Sequence, residues 1–342
     1  MKKIDNLPPL LSKDEMLDIL FSQEYGYLPK HTLVEFEELE VSKSYRKLFG
    51  AKAVRKNVLV KAYFEDKEFS FPIEITLPAK EGKHPFFVYI SFKTALSSVY
   101  MPLEEIIDSG FGVAKICYVD VTSDDNDFTN GLAGVLYENG KRNPTDAGKI
   151  AMWAWAASRT LDYLETTDFA DLDKITVCGH SRLGKTALLA GATDPRFFCA
   201  HSNDSGCSGA SIARGNTGET VAVICKNFPF WFCENYYQYA DNETSMPFDQ
   251  HFLLASVAPR CVYVSSASDD YWADPENEYL SCIAASPAFE NGFAVTDEDF
   301  PSPLYKSHSG DIGYHIRRGA HYHSREDWNM CIEFLNSKFL TK

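Results

Sequence analysis

The sequence predicts an α/β fold in which a mostly parallel sheet is covered by helices on both faces. Three observations carry that prediction. Strand-like and helix-like stretches alternate through the second half of the chain, as they do where parallel strands are joined by helical crossovers. The apolar runs "PFFVYISF" and "FGVAKICYVDV" are continuous rather than alternating, the mark of strands buried on both faces. Residues able to do chemistry stand at the ends of the strand-like runs, where ligands gather in sheets of this kind.

The elements follow in order. Residues 1–50 read as a helical and irregular extension of a single domain spanning 1–342. Within it "SKDEMLDILFSQEYG" is a helix, with Ser12 as N-cap and Gly26 as stop. "NVLVKAYF" and "SFPIEITLP" are the strands of a hairpin, and "PFFVYISF" is the first strand buried on both faces. "LEEIIDSG" is a short helix ending at Gly110, followed by the strand "FGVAKICYVDV". "TDAGKIAMWAWAASRTLDYLE" is the clearest helix, with Thr145 able to cap it and Ile150, Trp153, Ala157, Leu161 and Leu164 on one face. "KITVCGH", "RFFCAHSND", "RCVYVSSASDD" and "DIGYHIRRGAH" supply four more strands, and "EDWNMCIEFLNSKFL" closes the chain as an amphipathic helix.

Composition narrows the function. The 342 residues are 45% hydrophobic and 24% charged, an ordinary globular balance. A formal net charge of −15 makes nucleic acid and anionic membrane surfaces poor partners. The first residues, "MKKIDNLPPLLSKDEM", lack the apolar core of a secretory signal, and no apolar run is long enough to span a bilayer. The nine cysteines are irregularly spaced and form no C-x-x-C pair, which suits buried thiols in a reducing compartment. The expected location is therefore cytoplasmic.

The stretch "ITVCGHSRLGKTALLAGA" reads as strand, tight turn and helix, with Ser181 at the bend. Gly179 stands two residues before the serine, but the second glycine, Gly184, stands three after it. Ser181 is read as a nucleophile, against the alternative of a helix N-cap. Asp204, Asp269 with Asp270, and His321 mark later strand ends. Serine, acid, histidine is the chain order of α/β-hydrolases. Of the three late histidines, His321 follows the turn "RRGA" where it can reach a site. His315 packs or hydrogen-bonds within its strand, and His323 is solvent-facing or supports the site from behind. The His321-x-His323 spacing lacks companion ligands, so no metal is expected.

With Ser181, Asp204, Trp272 and His321 in place, the chain resembles the glucuronoyl esterases of carbohydrate esterase family 15, the bacterial branch most. The resemblance runs from about residue 85 to the C-terminal helix. It rests on "GHSRLGK", which fits the pattern G-x-S-R-x-G-K with its displaced glycine. "NDSGCSGA", "FPFWF", "MPFDQHFLLASVAPR", "DDYWADPENEYL" and "GYHIRRGAHYHSREDW" follow in the same order. The resemblance implies an α/β-hydrolase fold and a serine esterase that cleaves esters of 4-O-methyl-glucuronate, such as those joining xylan to lignin alcohols. It implies that Arg182 stabilises the oxyanion, that Lys185 contacts the sugar, that Trp272 flanks it and that Glu219 binds a hydroxyl.

The family context around "NDSG" favours Asp204 as the triad acid, with Asp269 and Asp270 as alternatives, although many relatives carry glutamate at this position. A further family carboxylate falls at Asn227. The expected substrate is a small or oligosaccharide glucuronate ester, with no cofactor. Two other readings remain open: an acetyl xylo-oligosaccharide esterase of the same fold, and a carbohydrate-binding relative without turnover.

Overall fold

The computed structural model describes residues 1–42, 46–92, 100–295 and 299–340 of the chain. Its eleven strands are β1 (Leu33–Leu39), β2 (Lys47–Leu48), β3 (Ala53–Phe64), β4 (Lys67–Pro78), β5 (His84–Ser91), β6 (Gly112–Cys117), β7 (Ala170–His180), β8 (Cys199–Asn203), β9 (Cys261–Ala267), β10 (Lys306–Ser307) and β11 (Ile312–Arg317). They form one sheet in the order β1-β3-β4-β6-β5-β7-β8-β9-β11-β10, with β2 beside β3. From β6 to β11 every neighbouring pair is parallel. The flanks are antiparallel: the β3–β4 hairpin with β1 and β2 on one side, β10 on the other.

Helices cover both faces, and side-chain alternation shows how. In β5, Phe86, Val88 and Ile90 join the larger core, together with residues of α1 (Lys13–Leu20), α3 (Lys149–Glu165), α4 (Arg182–Thr193) and α7 (Pro275–Ala285). Phe87 and Tyr89 point the other way, into a second core shared with α2 (Leu103–Asp108) and α8 (Arg325–Phe339). Two shorter helices, α5 (Val221–Asn227) and α6 (His251–Ala255), lie in the connections around β8 and β9. No helix among the described residues is long and apolar enough to cross a membrane.

Most predicted elements appear where expected. Ser12 caps α1 in a reciprocal box with Glu15, and Gly26 ends the turn after it at φ 80°. Four expectations change. The strand read in "FGVAKICYVDV" stops at Cys117, and Tyr118–Val121 forms a helical turn instead. Residues 1–50 are not only helical and irregular, because β1 and β2 belong to the sheet. Thr145 does not cap α3, which starts after Gly148 with no side-chain cap. A Cβ on Gly148 would come 2.2 Å from the carbonyl oxygen of Trp231, so close backbone approach decides that boundary. Finally, α3 is buried on nearly every side rather than on one face.

The turn after α1 carries Glu24 into the interior, fully buried, where it accepts a hydrogen bond from Gln250 Nε2 at 3.0 Å. Burial pushes its carboxyl up to about 8 from an ordinary 4.5. The folded protein therefore keeps a proton that the unfolded chain has already released, and stability drains as pH rises from about 4.5 to about 8. The slope is at most about 1.4 kcal/mol per pH unit. Above that window the contribution is flat. In Glu24→Gln this drain is absent, so the stability difference between wild type and variant changes from pH 5 to 8 and levels off by pH 9. Denaturant titrations across that range check this; a difference independent of pH contradicts it.

Candidate active site

Ser181 sits between β7 and α4 at φ 59°, ψ −130°, and its side chain makes no capping bond. Both facts matter. A non-glycine residue in that conformation costs free energy, and the hydroxyl is not used to close the helix, so the N-cap reading loses its basis. The flanking glycines have separate reasons. A Cβ on Gly179 would lie 2.2 Å from the carbonyl oxygen of Leu183, and one on Gly184 would lie 3.0 Å from both Ser202 Oγ and Ser205 Cβ. The first lets the turn close, and the displaced second glycine seats α4 on β8.

Ser181 lines a cavity of about 210 Å³ together with Arg182, Lys185, Asp204, Glu219, Trp272 and His321. The structure thus gathers these sequence-predicted residues around one pocket, while Asp269 is exposed and accepts from its neighbour Ser268 Oγ at 3.0 Å. Asn227 ends α5 in an exposed position and does not line the pocket.

The expected pairing of Asp204 with His321 is not what the structure holds. His321 Nδ1 meets Asp270 Oδ2 at 2.5 Å, and Asp270 is buried. Asp204 instead accepts from Arg317 Nη2 at 3.3 Å and from the Tyr322 backbone N–H at 3.4 Å. Burial, with Asp327 and Glu278 nearby, raises the Asp204 carboxyl well above the carboxylate range. The physical reason for the exchange is Arg317. Its guanidinium donates to Asp327 Oδ2 at 2.8 Å, to the Ala320 carbonyl at 3.1 Å and to the Tyr322 carbonyl. It thereby ties down the turn that presents His321, and Asp204 serves that anchor.

The other two histidines separate clearly. His315 Nδ1 and Nε2 bond Tyr263 Oη at 2.8 Å and Asp327 Oδ1 at 2.9 Å, as its strand position suggests. His323 is not solvent-facing: it is buried and stacked on Trp328 at 4.5 Å, because the chain turns inward at the start of α8. Beneath His321 lies His180, with ring centroids 4.4 Å apart. Burial, then the neighbouring His321, lower His180 to about 3, so it is a neutral wall bonded to Asn203 Oδ1 at 2.6 Å. Ligand atoms of Asp204, Asp270 and His321 lie within 4.8 Å of one another, the one cluster among the described residues with metal-ligand spacing. Each of its groups has a hydrogen-bonding role.

The cations beside Ser181 are both engaged. Lys185 is buried, and its ammonium donates to the Ser205 carbonyl at 2.8 Å, to the Cys207 carbonyl and to Glu219 Oε2 at 2.9 Å. Three donors meet three protein acceptors, so Lys185 fixes the Glu219 carboxylate rather than presenting a free ammonium. Arg182 is held by Asp124 and lies over the ring of Trp231 at 4.7 Å. Asp124, Arg317, Phe228 and Trp231 join the site beyond the residues that the sequence points to. The last two sit in "FPFWF" and line the pocket. Trp272 remains half-exposed at 51%, on the pocket wall rather than in the core.

Comparison with known proteins adds a further finding. The family model for glucuronyl esterase, fungi, matches residues 60–291. Carbohydrate esterase MZ0003, from an unknown prokaryotic organism, is 42% identical over 238 residues, covering 68% of this chain and 54% of that protein. The 4-O-methyl-glucuronoyl methylesterase 1 of Phanerochaete chrysosporium is 31% identical over 197 residues, 54% of this chain and 41% of the relative. The matched chain thus spans about half the length of these curated relatives. Among solved structures, a glucuronoyl esterase from Solibacter usitatus superposes with a TM-score of 0.87 at 31% identity, covering 98% of each chain. A promiscuous CE15 esterase from a marine bacterial metagenome gives a TM-score of 0.82 at 32% identity, covering 95% of this chain and 90% of the other.

Proposed function

Because the chain belongs to the glucuronoyl esterases of carbohydrate esterase family 15, we propose that it is a serine carboxylesterase acting on esters of glucuronic acid or its 4-O-methyl derivative. The observation that carries this reading is the Asp270–His321 pair beside Ser181, a strained serine whose hydroxyl caps nothing, in one pocket with an arginine.

In this mechanism Asp270 keeps the imidazole proton on Nδ1, leaving Nε2 to take the Ser181 proton as Oγ attacks the ester carbonyl carbon. Negative charge gathers on the carbonyl oxygen, opposed by Arg182 and by the backbone N–H groups at the start of α4. The carbon–oxygen bond to the alcohol breaks, and His321 returns its proton to the leaving oxygen. Water then attacks the acyl-serine with His321 again as base, releasing the uronic acid.

The pocket suits one sugar ring, and relatives named 4-O-methyl-glucuronoyl methylesterase support the uronate class. Glu219, clamped by Lys185, is an acceptor for ring hydroxyls. Trp272 offers a flat face to the C–H side of the sugar. Kinetics on methyl glucuronate beside 4-nitrophenyl acetate test the reading against the acetyl esterase alternative. kcat/KM at least tenfold higher for the glucuronate ester is expected, and the reverse order overturns it. A fluorophosphonate probe that fails to label Ser181 favours the non-catalytic relative.

Trp272→Ala raises KM for methyl glucuronate roughly threefold to tenfold, the loss of one stacking contact, and leaves KM for 4-nitrophenyl acetate within twofold. Equal changes on both esters mean that Trp272 only shapes the wall.

A further inference from the structure

Arg182 begins α4 next to Ser181, where a helix N-terminus already carries partial positive charge. Something outside that helix must hold its long side chain in place. The group that does so is Asp124, from the loop that follows β6. Asp124 Oδ2 accepts from Arg182 Nη1 and from Tyr118 Oη, the latter at 2.9 Å, while Oδ1 accepts from Trp231 Nε1 at 2.8 Å. One carboxylate therefore fixes the edge of the guanidinium and, through Trp231, its face. The Trp231 ring lies 4.7 Å from the guanidinium carbon and is stacked on Phe228 at 4.0 Å and 3°. Arg182, Trp231 and Phe228 line the pocket, and Asp124 stands behind them.

The loop carrying Asp124 is itself closed around a buried cation. Lys149, at the start of α3, donates to Thr122 Oγ1 at 2.9 Å, to Ser123 Oγ at 3.3 Å and to the Asp127 carbonyl at 2.7 Å. The neighbouring side chains tighten the same loop: Asp125 Oδ1 accepts from Ser123 Oγ at 2.6 Å, and Asp127 Oδ1 accepts from the Thr129 N–H at 2.8 Å. The carboxylate is thus delivered by a loop anchored to a rigid helix.

We propose that Asp124 is a positioning residue for ester hydrolysis: it fixes the Arg182 guanidinium, against Trp231, where the carbonyl oxygen gathers charge. This rests on the esterase reading above. The physical ground is preorganisation. An arginine side chain free to rotate loses rotamer entropy each time it is recruited. One held before the ester arrives needs no reorganisation in the transition state.

The test is steady-state kinetics of the full chain on methyl glucuronate and on 4-nitrophenyl acetate, for wild type, Asp124→Asn, Arg182→Ala and the double variant. Asp124→Asn is expected to lower kcat about tenfold or more on both esters, with KM within threefold and the melting temperature nearly unchanged. Once Arg182→Ala is present, adding Asp124→Asn changes kcat less than twofold. A single-variant kcat within twofold of wild type overturns the proposal. So does a loss of equal size in both backgrounds, which marks a merely structural clasp. If Asp124→Asn does not fold, Asp124→Glu replaces it, keeping the charge but shifting it by one methylene: a lowered kcat with normal melting supports the proposal, an unchanged one overturns it. A wild type inactive on both esters removes the esterase reading and this proposal together. Activity on the acetate alone removes only the substrate assignment, and the same comparison then decides the proposal on that ester.

Discussion

Ser181→Ala lowers kcat on methyl glucuronate by a factor on the order of 10⁴ to 10⁶, the range seen when a hydrolase loses its nucleophile, while the protein melts within a few degrees of wild type. The two halves of this result come from different features. Turnover goes because, among the described residues, no other hydroxyl in the pocket stands at the end of β7 beside the Asp270–His321 pair. Folding stays because the hydroxyl makes no capping bond that alanine would forfeit, so the cap loss of about 0.5–2 kcal/mol does not arise. Ester hydrolysis and thermal melting on the same preparation check it. Activity near wild type refutes the nucleophile, and a collapsed melting temperature returns Ser181 to a structural role.

Asp270→Asn is the second large effect, with kcat falling by about 10⁴-fold, the loss measured when the orienting aspartate of a serine protease becomes asparagine. The Asp270 carboxylate meets His321 Nδ1 at 2.5 Å, so an amide there favours the wrong tautomer. Asp204→Asn behaves differently. Its carboxyl is already pushed toward the neutral form by burial, and an amide oxygen can still accept from Arg317 and Tyr322. Its kcat falls less than tenfold, and Asp269→Asn, at an exposed position, is silent. kcat and the pH–rate profile for the three variants decide the matter. If Asp204→Asn is the one that destroys kcat while Asp270→Asn keeps it, the geometric assignment is wrong; if only the double change is severe, the two carboxylates share the task.

The elbow was legible because its chemistry is local. A strand, a bend and a helix lie within "ITVCGHSRLGK", and the displaced glycine has a contact that explains it. The choice between Asp204 and Asp270 is not local. The two residues follow neighbouring strands, β8 and β9, only one strand spacing apart, and either could face the histidine. What separates them is Arg317, a residue in "RRGAH" whose sequence context reads as an ordinary turn. Asp124 was hidden for a similar reason, since "TSDDNDFTN" looks like a solvated acidic loop and only the fold brings it to Arg182. β1 leaves little trace in the sequence because "LVEFEEL" is an exposed edge strand with a largely solvated surface, so its apolar pattern is weak.

The conformation of Ser181 has an evolutionary consequence. Holding a serine at φ 59° costs on the order of 1–3 kcal/mol relative to a relaxed backbone, and glycine would carry much less of that cost. Selection for turnover and selection for robustness therefore pull position 181 in opposite directions. A duplicated copy released from the need to hydrolyse esters would gain stability by drifting to glycine there, while α4 and β8 kept their packing. In such a copy the strained backbone at 181 is retained for no chemical return.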